Sequence, residues 1–145
     1  MNKIFPWAFV IIWMSVIFFF SYQPAPVSNE LSKGITEQLV QLIETIFPHV
    51  EMEINQFNSK VRKLAHFLNF LVFGIVVMFA VRRIRVFRKK SVLIAFLICT
   101  LFAITDEVHQ LFVPGRGAQL QDVLIDSTGA CVGIGLYLFV SRIRK

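Results

Sequence analysis

The chain has 145 residues, of which 56% are hydrophobic, sixteen are Phe and only 17% are charged, and its mean hydropathy is +0.67. That composition excludes a soluble globular domain of this size and places the chain among small integral membrane proteins. The net charge of +6 does not indicate a nucleic-acid partner, because Lys and Arg gather in short clusters beside apolar runs instead of lining one face.

Four apolar segments, residues 4–22, 63–81, 91–113 and 122–140, are each long enough to cross about 30 Å of hydrocarbon as a helix. The expected fold is all-α, a single-domain polytopic bundle over residues 1–145. The first segment begins after a short basic start and has Trp7 and Tyr22 near its ends; its long run through Phe18, Phe19 and Phe20 favours a retained span over a cleaved signal peptide. Tyr137 is similarly placed in the fourth segment. Between the first two, residues 28–47 carry Leu31, Ile35, Leu39, Leu42, Ile43 and Ile46 at three- and four-residue intervals, with Glu and Gln between them. This spacing predicts an outer amphipathic helix ended by Pro48, packed as a lid on the bundle or lying in the interface. Residues 48–58 read as a connector. Cys99 and Cys131 lie within apolar runs, so neither a disulfide nor a zinc site is expected.

Orientation follows from the cations. Arg82, Arg83, Arg85, Arg88, Lys89 and Lys90 crowd the loop between the second and third segments, and Arg142, Arg144 and Lys145 end the chain. Both regions are expected in the cytoplasm, which puts the N-terminus there too. The loop of residues 23–62, with Glu30, Glu37, Glu44, Glu51 and Glu53, and the short loop holding Arg116 then face outward; Lys60, Arg62 and Lys63 are a local exception.

Threaded this way, the polar residues within the spans converge. At 1.5 Å per residue, His66 lies about 5 Å below the outer entry, Asp106 and Glu107 roughly 10 Å below residue 113, and Asp126 about 6 Å below Asp122. Lys63 with His66, Asp106 with Gln110, and Asp122 with Asp126 are spaced to share helix faces. Carboxylates at such depth cost about 2.5–3.5 kcal/mol each unless paired, hydrated or used. Gly74, Gly129 and Gly133 allow close helix approach, the last two as a small-xxx-small pair. In the loop that follows residue 113, Pro114 is expected to stop a helix, Gly115 and Gly117 to permit a tight reversal, and Asp122 to cap the next helix. Arg116 is then held at the mouth of the pocket, where a guanidinium suits a carboxylate or phosphate.

These residues resemble the VanZ-like family of bacterial membrane proteins. The resemblance is carried, over about residues 15–140, by K-x-x-H-F at 63–67, D-E-x-x-Q at 106–110, P-G-R at 114–116 and D-V-x-x-(D/N)-x-x-G at 122–129. It implies that Lys63, His66, Asp106, Glu107, Gln110, Arg116, Asp122 and Gly129 are characteristic positions. The family takes its name from a member that raises tolerance to teicoplanin, a lipoglycopeptide acting at the outer envelope. Family members often carry Asn in place of Asp126, which implies a need for polarity more than charge there.

Several functions are open at this point. The acids, with Arg62, Lys63, Arg116 and the histidines, suit a nearly neutral ion-pair network that locks three helices together. The same groups suit a non-catalytic site for an envelope lipid, a peptidoglycan precursor or a glycopeptide, made of Lys63, His66, Asp106, Glu107, Gln110, Arg116, Asp122 and Asp126. They also suit an enzyme on a lipid-linked substrate, with His66, Glu107 or Asp106 as the catalytic group. No G-x-S-x-G, H-E-x-x-H or P-loop is present. A metal site of His66, Asp106, Glu107 and His109 has no recognised spacing, and neither a metal nor another cofactor is expected. His109 is expected to point away from the face of Asp106 and Gln110. The expected setting is the bacterial cytoplasmic membrane, with membrane lipids as neighbours.

Overall fold

A computed structural model of the protein describes residues 4–46, 53–84 and 87–143. The expected Pro48 stop, Arg85 of the basic loop, and Arg144 and Lys145 of the tail lie outside the described residues. Among the described residues five helices follow in order: α1 (Phe5–Ser21), α2 (Ala25–Ile46), α3 (Ile54–Arg82), α4 (Arg88–Gln110) and α5 (Leu120–Ile143). No strand occurs among the described residues.

Of these helices, α3, α4 and α5 are each long and apolar enough to cross a membrane, while α1 and α2 qualify together as a pair bent by 101°. The described residues therefore hold three candidate crossings, or four if the bent pair is one, and the bend supplies the additional helix. Alone, the 17 residues of α1 reach about 25 Å. Its last turn closes with Tyr22 N–H on the Phe18 carbonyl (2.8 Å), and Pro24, lacking an N–H, cannot extend it. The first donor of α2, Ala25 N–H, bonds instead to the Pro114 carbonyl in the loop after α4 (3.2 Å). Gly115 follows at φ +75, a left-handed backbone that only Gly adopts without strain, with Ala25 Cβ only 3.1 Å from where its own Cβ would be.

Residues 54–58 correct one expectation. They are the first turns of α3, not a connector, because α2 lies along them: the Thr36 hydroxyl donates to buried Asn58 Oδ1 (3.1 Å) and Arg62 Nη1 donates to Asn29 Oδ1 (3.0 Å). The face of α2 that packs is consequently not its apolar stripe. Thr36 and Val40 are buried, while Leu31, Ile35, Leu42 and Ile46 stay 57–60% exposed. Of that stripe, Leu31 and Ile35 border the space between α1, α2 and α3, while Leu42 and Ile46 face outward, as a helix lying in an interface presents them.

The bundle is tightest between α3 and α5. A Cβ at Gly129 would collide with the Phe67 carbonyl oxygen, one at Gly133 with that of Leu71, and one at Gly74 with that of Ala130. Small residues thus let two main chains meet, which is how helices associate where lipid offers no hydrophobic drive. On the other side of α3, Phe70, Phe73 and Phe102 stack within 5.1–6.1 Å of one another, and Phe18 of α1 meets Phe102 edge-on at 5.1 Å. Trp13 Nε1 donates to the Asn69 carbonyl (3.0 Å), tying α1 to α3. Large apolar side chains such as Ile11, Leu101 and Phe139 point outward, over 60% exposed, as lipid-facing positions do.

Candidate functional site

One end of the bundle, beneath the α1–α2 bend and the α4–α5 loop, gathers the polar residues. His66 of α3 faces Asp126 of α5, with Nδ1 to Oδ1 at 3.5 Å. Asp106 of α4 is wholly buried; its Oδ2 accepts the Ser21 hydroxyl of α1 (2.6 Å) and the Gln110 side-chain amide one turn on (3.2 Å). Four helices therefore meet at three titratable groups. One ligand-type atom from each of His66, Asp106 and Asp126 lies within 4.8 Å of the others.

The neighbouring acids are bound less completely. Glu107 Oε2 accepts the Gln119 backbone N–H (2.7 Å), which fastens the α4–α5 loop to α4, while Oε1 is buried without a hydrogen bond. Asp122 lies in the first turn of α5, two residues inside its start at Leu120, so it favours the positive helix end by charge instead of acting as the cap. Its Oδ1 is likewise buried and unpartnered.

The cations do not pair with these acids as the ion-pair network required. Among the described residues, Lys63 Nζ donates to Gln121 Oε1 (2.9 Å), Arg62 to Asn29, and Arg116 Nη2 to the Phe20 carbonyl (3.4 Å). The reason is position. Lys63 sits nearly a turn nearer the helix end than His66 and reaches the start of α5, while Arg116 is carried over the end of α1 by the loop. Arg116 is half-buried, and burial, followed by the nearby Arg62 charge, holds its guanidinium below the usual arginine range; arginine remains charged regardless.

Arg62 and Arg116, though not Lys63, instead border a cavity of about 430 Å³ between α1, α2 and α3. Ile17, Phe20, Leu31 and Ile35 form apolar walls, and Arg62, His66 and Arg116 line its polar parts. His66 is the residue shared by the cavity and the carboxylate cluster. His109 belongs to neither: its ring lies against Phe18 and Tyr22 at 5.2 and 6.0 Å, as a packed histidine between α4 and α1. Glu107 and His109 thus fall outside the atoms that converge with His66 and Asp106, and Asp126 takes their place.

Sequence reasoning did not single out Ser21, although a signal exists: it is a hydroxyl at the end of a Phe-rich run, at the same helix end as Asp106. Arg62 was visible as a charge exception and as a member of the ion-pair network, not as a wall of a cavity, and nothing local marks Gln119 or Gln121. No curated protein and no solved structure gives a match to the chain. The VanZ/LLP1 family model, however, matches residues 5–141, a span that contains all five helices but the last two residues of α5, together with every polar residue of the cluster, and the chain therefore belongs to the VanZ-like family.

Proposed function

We propose that this protein resides in the bacterial cytoplasmic membrane with both termini inside, and that its cavity faces outward and binds an anionic amphiphile of the envelope. In binding it, the protein changes how the envelope meets glycopeptides such as teicoplanin. The observation that carries this reading is the composition of the cavity. Apolar walls suit an acyl or prenyl chain, two arginines beside them suit a phosphate or carboxylate, and about 430 Å³ is within the range of ligand pockets. The Lys/Arg bias of residues 82–90 supports the orientation.

A lipid headgroup, a lipid-linked precursor and an acylated drug share this chemistry. Native mass spectrometry of the purified protein with phosphatidylglycerol and with phosphatidylcholine tests it. Preferential retention of the anionic lipid, reduced about tenfold or more in Arg116→Ala and Arg62→Ala, is expected from loss of a charged hydrogen bond. Equal retention of both lipids refutes it. In a susceptible bacterium, teicoplanin tolerance lost with Arg116→Ala at equal membrane levels connects the cavity to the phenotype.

A second reading rests on His66, which lines the cavity and faces Asp126. An imidazole backed by a carboxylate suits a general base beside a phosphate-bearing substrate. Phosphate release from a lipid phosphate, lost in His66→Gln with binding retained, would carry that reading.

A further inference from the structure

We infer that His66, Asp106 and Asp126 form a binding site for one divalent transition-metal cation of the zinc or manganese type. The inference is independent of what fills the cavity. It begins with distances: one ligand atom from each residue falls within 4.8 Å of the others, and His66 Nδ1 and Asp126 Oδ1 are 3.5 Å apart. Two ligands of a tetrahedral ion, each about 2.1 Å from the metal, stand roughly 3.4 Å from one another. At 3.5 Å the pair is long for a hydrogen bond and correct for an edge of a coordination polyhedron.

Charge and satisfaction point the same way. Asp106 and Asp126 are both 0% exposed. Among the described residues no lysine or arginine pairs with either, since Arg62, Lys63 and Arg116 are engaged by Asn29, Gln121 and the Phe20 carbonyl. Asp106 Oδ1 and Asp126 Oδ2 are buried without any hydrogen bond. Unsatisfied carboxylate oxygens at such depth are costly, and a cation shared among them removes the cost at once.

The surroundings are arranged as ligand supports are. Ser21 and Gln110 both donate to Oδ2 of Asp106, which fixes the carboxylate and leaves Oδ1 unengaged. An imidazole with two carboxylates favours zinc, manganese or iron over magnesium or calcium, which prefer all-oxygen sets. Three protein ligands leave a position for water or for an anionic oxygen. Because His66 also lines the cavity, the ion adds positive charge to a wall that already carries Arg62 and Arg116.

The test uses the full chain in detergent, stripped with a chelator and dialysed against Zn²⁺, Mn²⁺ or Mg²⁺ chloride, with metal content and melting temperature measured. One equivalent of Zn²⁺ or Mn²⁺ per chain, a raised melting temperature and weaker Mg²⁺ binding are expected. His66→Ala and Asp106→Asn should each lose the bound metal, and Ser21→Ala should weaken it about 10–100-fold. Substoichiometric binding with unchanged melting for all three salts overturns the site in the wild-type protein, whatever the variants do. Full binding retained by a folded His66→Ala or Asp106→Asn overturns it equally. Failure of the lipid preference in the cavity leaves this result untouched.

Discussion

Replacing Gly133 by Ala isolates the main-chain contact on which the bundle rests. A Cβ there would collide with the Leu71 carbonyl oxygen and stand 2.9 Å from the Leu71 carbonyl carbon and 3.2 Å from the Ile75 nitrogen. All three atoms are helix backbone, so no rotamer relieves the overlap. To restore ordinary contacts of about 3.5 Å with all three atoms the two helices must separate by roughly 1.5 Å, and a gap of only about 0.5–1 Å already forfeits a quarter to a half of the dispersion energy along the seam. Overpacking of this kind costs about 3 kcal/mol at the upper end, and the higher helix propensity of Ala returns about 1 kcal/mol. The net expectation is a loss of about 2 kcal/mol. Gly135→Ala is the control, since nothing lies within 4 Å of its Cβ position; it should be neutral or more stable by up to about 1 kcal/mol. Unfolding by sodium dodecyl sulfate in mixed micelles, followed by the fluorescence of Trp7 and Trp13, measures both. A Gly133→Ala protein that unfolds at the same detergent fraction as Gly135→Ala would show that α3 and α5 do not meet in this way.

Ser21→Ala removes the 2.6 Å donor to a wholly buried carboxylate and should cost about 1.5–3 kcal/mol in the same titration, and wild-type stability would contradict that bond. Trp13→Phe deletes the bond to the Asn69 carbonyl while keeping an aromatic ring; a loss of about 1 kcal/mol is expected, and no loss would mean that α1 is held by packing alone. In a Cys99→Ala, Cys131→Ala background, Gly117→Cys should react with an impermeant maleimide in intact cells and Lys89→Cys only after permeabilisation. The opposite pattern would invert the orientation set by the cations.

Much of the helical architecture is legible as hydrophobic runs, and the Gly129–Gly133 spacing announces the face on which α5 meets α3. Residues 54–58 escape such a reading because their helix is enforced from outside. Nothing apolar and continuous marks INQFN; Thr36, 22 residues earlier, gives Asn58 its partner, and Asn29 holds Arg62 one turn further along α3. Tertiary contact overrides local pattern there. The carboxylates were legible as liabilities because an acid in an apolar run is rare. Their partners were not. Helical periodicity gives a residue's direction around its own axis but not which neighbouring helix lies in that direction. Lys63 therefore lies on an arc with His66 yet bonds to Gln121, and Asp106 finds Ser21 across 85 residues of sequence.

That last separation has a consequence in time. The chain is made from its N-terminus, at about 5–20 residues per second, so the 85 residues between Ser21 and Asp106 take roughly 4–17 s to appear. Helices α1 and α3 are thus complete before either aspartate of the cluster exists, and His66 waits for Asp126 until the first two turns of α5 have been made. During that interval the growing protein carries polar groups that only its unfinished part can satisfy. A chain that stops before α5 leaves His66 and Asp106 without their third member. Incomplete products consequently hold polar groups whose facing residues do not yet exist, and only the finished bundle brings His66, Asp106 and Asp126 together.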